Sequence, residues 1–424
     1  MIRILDYKEI TDREVIASPK PIADVSETVR GIIARVREEG DAALYDYAAR
    51  FDHVTLTSLA VTAEEIEEAC SLVEEDFLRV LMSAAANIRE FHGKQLRDGF
   101  EIRRGEGVVL GQRVTPIERV GLYVPGGTAA YPSTVLMDAI PAKIAGCPKV
   151  VMVTPPGKDG KVNPAIRAAA KVAGVDEIYK VGGAQAIAAL AYGTETLPKV
   201  DKIVGPGNAF VAEAKKQVFG VVSIDMIAGP SEILVVADGE NDPKCIAADL
   251  LSQAEHDKNA SAVLITDSLS LAEGVQKSIE SLLEGMERRE IARQSIDNNG
   301  KIILVADILE GIDVANEIAP EHLELAVADP FTLLGRVKHA GSVFLGRNCP
   351  EAIGDYFAGM NHTLPTCGTA RFSSPLSVDD FVKKTQYAYY SAEALAAVAD
   401  DVALFAGKEG LTGHARSATI RSKE

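Results

Sequence analysis

Four stretches of this chain group side chains that bind metals or move protons. In Ser252-Gln-Ala-Glu-His-Asp257, Gln253 and His256 stand three residues apart at the end of a helix expected over Asp242–Glu255. That spacing puts an amide oxygen and an imidazole on one helix face. A borderline cation such as zinc accepts the pairing, although glutamine is an uncommon ligand. A capping histidine beside a solvated glutamine fits the same spacing. In Ala319-Pro-Glu-His-Leu-Glu324, Glu321 and His322 form an adjacent acid–base pair at the mouth of a strand. Histidine exchanges protons near neutrality, and a carboxyl with a raised pKa does so too, so the pair suits taking an alcohol proton or activating water. A surface pair in a loop fits it as well.

In Cys349-Pro-Glu-Ala-Ile-Gly-Asp-Tyr356, Asp355 is expected on a turn after a permissive glycine, where it could serve as an anionic metal ligand. Asn361-His362 follows close by, as ligand, supporting residue or turn. Lys408-Glu-Gly-Leu-Thr-Gly-His414 places Glu409 and His414 in a glycine-rich turn near the C-terminus, where tails usually fray and are polar.

Three glycine-rich loops complete the chemistry. Val120–Ser133 precedes a helix starting near Thr134, and Ser133 could cap that helix. Gly182-Gly-Ala-Gln185 and Gly205-Pro-Gly-Asn208 each follow an expected strand and open a helix, where strand ends line a ligand crevice. None is a GxGxxG, so the standard dinucleotide fingerprint is absent, and three ordinary strand-to-helix turns fit the spacing equally.

The elements that must position these residues alternate. Residues 22–98 read as helices: Val25–Gly40 carries apolar residues at helical spacing and ends on a glycine, and Thr62 with Glu65 forms a capping box. Lys149–Thr154, Glu177–Val181 and Lys202–Val204 read as strands separated by alanine-rich helices. A second set comprises Glu232–Asp238, Ala262–Asp267, Lys301–Ala306 and Ser342–Leu345, with helices over about 242–255 and 269–294. This rhythm implies α/β architecture: two doubly wound, incomplete Rossmann-like parallel sheets with helical N- and C-terminal extensions. The tail from about Val378 reads as helical. The expected division is 1–24 as an N-terminal extension, 25–119 with 233–377 as a substrate and metal domain, 120–232 as a dinucleotide-contacting domain, and 378–424 as a C-terminal extension.

Composition narrows the partners. With 44 Lys plus Arg against 61 Asp plus Glu, the 424-residue chain carries a formal charge of −17, which disfavours nucleic acid and anionic membrane. Its five cysteines are odd in number and form no CxxC, against a disulfide framework or thiolate zinc site. No signal-peptide core or bilayer-length apolar run is present, and a cytoplasmic setting is expected.

Taken together, the segments GLYVPGGTAAYPSTVLM, VGGAQAIAALAYGTE, KIVGPGN, AGPSEILVVAD, LLSQAEH, APEHLEL, GDYFAGMNHTLPT and EGLTGH resemble the histidinol dehydrogenase family, in order and over nearly the whole chain. The resemblance implies oxidation of L-histidinol, through L-histidinal, to L-histidine with two NAD and one zinc per subunit. It places the zinc ligands on Gln253, His256, Asp355 and His414. His322 takes the alcohol proton and Glu321 activates water. Substrate contacts fall on Ser231 and Glu409, together with His322 and the zinc ligands. NAD contacts fall on Tyr123, Gln185 and Asn208. The family dimer is intertwined, so His414 is expected to complete the partner's site in a homodimer. The alternative is a related zinc and NAD dehydrogenase of another small polar alcohol, such as a sulfonated diol. A zinc hydrolase using Glu321, or a non-catalytic scaffold, stands further off because no functional position departs from the family pattern.

Overall fold

The computed structural model describes residues 1–12, 24–126 and 130–421. Met1–Gln95 with Glu118–Phe381 forms one compact unit, and Leu96–Ile117 with Val382–Glu424 forms a second.

The first unit contains two wholly parallel sheets. The six-stranded sheet runs in the order Arg3–Asp6, Lys301–Leu304, Ser261–Thr266, Glu232–Ala237, His322–Ala326, Ser342–Leu345. The five-stranded sheet runs Glu177–Lys180, Lys149–Thr154, Arg119–Tyr123, Lys202–Val204, Ser223–Ile224. Central strands are apolar on both faces because helices cover both. Ile233, Val235 and Ala237 point into one core, and Leu234 and Val236 into the other. The helix Ser26–Glu39 lays Val29, Ile32, Ile33 and Val36 against the five-stranded sheet's core. Gly40 follows it with φ +56°. The Thr62–Glu65 capping box forms with both reciprocal hydrogen bonds.

Several expectations change. Arg3–Asp6, expected in a separate extension, is an edge strand, with Ile2 in the core. Arg119–Tyr123, read as the start of a loop, is the middle strand of its sheet. The helix after it begins at Pro132 with Tyr131 as N-cap, so Ser133 lies inside the first turn and does not cap; Gly127–Ala129 of that loop lie outside the described residues. The long helix over 269–294 is two, Leu269–Leu283 and Arg289–Asn299, interrupted around Gly285.

The second unit is a three-stranded antiparallel sheet, Val382–Tyr390, Val108–Pro116 and Phe100–Arg103, followed by helices Ala392–Ala396, Ala399–Lys408 and Thr412–Thr419. The tail is therefore not wholly helical. Its residues Val382–Tyr390 pair with a strand about 270 residues earlier, which local patterning does not reveal. Leu404, Phe405 and Tyr389 of this unit are exposed. Among the described residues no helix is long and apolar enough to cross a membrane.

Candidate active site

Glu321 and His322 stand at the amino end of the His322–Ala326 strand, in register with Ile233 on one side and Ser342 on the other. Ala319, with φ +57°, ends the helix Ile308–Ile318 and turns the chain through Pro320 into this strand. Both side chains are buried and both fasten to the neighbouring backbone. The Glu232 N–H donates to Glu321 Oε2 at 2.8 Å, and His322 Nδ1 lies 2.9 Å from the Glu232 carbonyl. A carbonyl only accepts, so Nδ1 carries the proton and Nε2 is the bare nitrogen. Nε2 is buried with no hydrogen-bond partner among the described residues, 3.9 Å from carboxylate oxygens of both Glu351 and Asp355. Burial lowers the His322 pKa to about 4, against the Glu232 hydrogen bond, and nearby His256 and His362 lower it further. Burial pushes the Glu321 carboxyl well above the ordinary carboxylate range, opposed by the Glu232 N–H and reinforced by the carboxylates of Glu232, Asp355 and Glu351.

Asp355 sits in the short helix Glu351–Tyr356, not on a turn. Gly354 is there for closeness rather than for unusual dihedrals. A Cβ at this position would lie 2.6 Å from the Phe344 ring, which itself flanks His322. Glu324, two residues beyond His322 and so on the same strand face, accepts from the Glu351 N–H at 2.6 Å and holds the helix start. Burial lifts Glu351 to about 8, with Asp355 adding to it, and lifts Asp355 to about 6. The ligand atoms of His322, Glu351 and Asp355 lie within 4.8 Å of one another.

The helix Pro243–Ala254 is tied to this group by Ser252, whose hydroxyl donates to Glu351 at 3.1 Å. On its last turn Gln253 is 1% exposed, with a buried Oε1 that lacks a partner among the described residues. A solvated glutamine is thereby excluded. The crowded carboxyls of Glu351 and Asp355 and, separately, the buried unpaired amide oxygen of Gln253 are groups that a divalent cation satisfies. His256 follows the helix and is exposed, its backbone N–H donating to the Gln253 carbonyl at 3.1 Å. Glu409 and His414 belong to the second unit, both exposed, Glu409 after the helix Ala399–Lys408 and His414 within Thr412–Thr419.

The glycine-rich turns lie at the carboxyl ends of the five-stranded sheet. The buried Tyr123 hydroxyl accepts from the Gly183 N–H at 3.1 Å. Gln185 is buried and folds back over Gly183, where φ is +66° and a Cβ would meet Gln185 Oε1 at 2.7 Å. Asn208 is exposed and caps the helix Ala209–Val218, accepting from Phe210 and Val211. Ser231 is half-buried just ahead of the Glu232 strand. Asn361–Cys367 ties the two sheets together: Asn361 donates to the Met137 carbonyl, Thr363 to Asp138, and the Cys367 N–H to Glu232. His362 Nε2 meets Thr134 Oγ1 at 3.3 Å, and its Nδ1 is 3.9 Å from Asp355.

Glu351, Glu324 and Asp249 were not singled out from sequence. Each had a spacing signal: Asp249 is four before Gln253, Glu351 four before Asp355, and Glu324 two after His322. Asp249 and Glu324 share a hydrogen bond, and burial raises both, Asp249 to about 6.

Two parallel α/β sheets with a buried acid–base pair beside crowded carboxyls define a metal-capable α/β protein with a catalytic type of site. A sequence model of the histidinol dehydrogenase family matches residues 17–422. The histidinol dehydrogenase of Clostridium acetobutylicum is 57% identical over 404 residues, covering 95% of this chain and 94% of that protein. That of Streptococcus mutans is 55% identical over 410 residues, covering 97% and 96%. The crystal structure of the Elizabethkingia anophelis histidinol dehydrogenase superposes with a TM-score of 0.94 at 38% identity, covering 100% of this chain and 98% of that one. The chain belongs to the histidinol dehydrogenase family, and is an oxidoreductase. None of these relatives supports the sulfonated-diol alternative.

Proposed function

We propose that this chain oxidises L-histidinol through L-histidinal to L-histidine with two NAD, using one zinc per subunit, as the last step of histidine biosynthesis in the cytoplasm. The observation that carries the reading is His322, a neutral imidazole whose bare Nε2 faces two carboxyl groups in a buried cluster. Gln253, His256 and Asp355 would hold the zinc with the partner subunit's His414; bound there, it would supply a Lewis-acidic anchor for the substrate's amine and imidazole nitrogens.

His322 accepts the hydroxyl proton at Nε2 as the first hydride leaves for the nicotinamide. The Nδ1–H bond to Glu232 holds the ring in place, and the Asp355 carboxylate 3.9 Å away favours the imidazolium that forms. Glu321, a strong base once ionised because burial raises its pKa, takes a proton from the water that attacks the aldehyde. Ser231 and Glu409 contact the substrate. Tyr123, Gln185 and Asn208 contact NAD, with 120–232 serving the dinucleotide and 233–377 serving substrate and metal; the expected grouping of 25–119 with 233–377 gives way, because the helix Ser26–Glu39 packs on the five-stranded sheet's core and Leu96–Ile117 belongs to the second unit. The exposed apolar side chains of the second unit support a homodimer in which that unit reaches the other subunit.

Zinc-loaded protein mixed with L-histidinol and NAD should release two NADH per histidinol, and none after a chelator. A folded, zinc-loaded protein that produces no NADH would overturn the assignment.

A further inference from the structure

We infer that the buried Lys215–Asp225 ion pair is a positioning device for the Gly205–Asn208 turn, and through it for bound NAD; this rests on the reading of Asn208 as a dinucleotide contact. Lys215 lies on the helix Ala209–Val218 that Asn208 caps, and Asp225 lies one residue beyond the strand Ser223–Ile224. The side chains are 2% and 1% exposed and in direct contact. Between them they grip both polar groups of one peptide residue. Lys215 Nζ donates to the Gly205 carbonyl at 3.0 Å, and the Gly205 N–H donates to Asp225 Oδ2 at 2.8 Å. The other Asp225 oxygen accepts from the Met226 N–H at 2.6 Å, at the start of the crossover towards Ser231.

Gly205 needs such a grip. Its φ is +114°, and a Cβ would stand 2.2 Å from the Tyr123 carbonyl oxygen and 3.0 Å from Asp138 Oδ2. Only glycine fits, and glycine resists fixing more than any other residue. Asp138, fully buried, closes the third side. Its Oδ1 accepts from Thr363 at 3.2 Å, and its Oδ2 has no partner among the described residues. A buried ion pair is a poor stabiliser beside a well-packed apolar pair of the same volume. What this pair provides that an apolar pair would not is a fixed direction for the turn that ends in Asn208.

That difference separates positioning from stability. Lys215→Met or Asp225→Leu alone leaves an unpaired buried charge and should lower Tm sharply. The double replacement Lys215→Met/Asp225→Leu should recover part of the Tm lost by either single change, because the charges go while the Gly205 N–H and carbonyl stay without these partners, and should not recover the turn. The expected result is NAD binding weakened by about tenfold or more, the loss of charge-assisted hydrogen bonds to the turn, with zinc affinity and the KM for histidinol unchanged. Amide hydrogen exchange at Gly205–Val211 should quicken in the same variant. Should the double variant not fold, Asp225→Asn keeps an oxygen for the Gly205 N–H and should weaken NAD by about threefold through loss of the charge alone. A double variant, or failing that an Asp225→Asn protein, with wild-type Tm, exchange and NAD affinity would overturn the inference while leaving the proposed function intact. Wild-type protein with no NAD affinity would remove both.

Discussion

Replacing His322 with Asn tests the proposed chemistry most directly. The imidazole is neutral near pH 7 because its pKa is lowered to about 4, so essentially the whole population presents a bare Nε2 and the substitution removes the complete base. A positioned general base contributes about 10²- to 10⁴-fold, or roughly 2.7–5.5 kcal/mol of barrier. The Asn side chain keeps an N–H to offer the Glu232 carbonyl now bonded at 2.9 Å, so the stability cost should be about 1 kcal/mol. Histidinol oxidation should fall by that 10²- to 10⁴-fold factor, and oxidation of added histidinal should fall far less, because Glu321 serves the water step. Stopped-flow NADH formation with each substrate, beside zinc content and thermal unfolding, makes the comparison. Undiminished histidinol oxidation would refute the assignment of Nε2 as base. Equal losses on both substrates would refute the division of labour with Glu321.

The complementary change, Glu321→Gln, should slow histidinal oxidation about 10²-fold or more and histidinol oxidation much less; burst kinetics with accumulated aldehyde is the readout. Gly354→Ala should cost about 1–3 kcal/mol, since the new methyl meets the Phe344 ring at 2.6 Å, and should weaken zinc binding by displacing Asp355; an unchanged Tm with wild-type zinc affinity would contradict the packing argument. Asp52, whose carboxyl burial raises from 3.8 to about 6, gives a pH signature. A raised folded-state pKa means the native chain binds the extra proton, so this contribution is fully present below about 4 and is lost as pH rises through about 6. Asp52→Asn should therefore flatten that decline in denaturant midpoint between pH 4 and 6; an identical slope in both proteins would show that Asp52 does not titrate this way.

Local features were legible because their causes are local. The Thr62–Glu65 capping box, the helix after Val25 and the both-faces-apolar strands follow from side-chain chemistry within a few residues, and each forms where the pattern put it. The adjacency of Glu321 and His322 and the helical spacing of Gln253 and His256 are also properties of the chain itself. What those residues became was decided elsewhere. Gln253 is 1% exposed rather than solvated because Ser252 ties its helix to Glu351, nearly a hundred residues away. Asp355 is in a helix rather than a turn because Glu324 holds the helix start and Gly354 admits Phe344. The tail begins as a strand because its partner, Val108–Pro116, lies far upstream. The tautomer of His322 is set by the carbonyl of Glu232, brought beside it by strand pairing. The sequence by itself determined which side chains were available and which local elements would carry them. Only the tertiary structure decided burial and pairing, because desolvation and hydrogen bonding depend on neighbours that parallel strands and crossing segments bring together from across the chain.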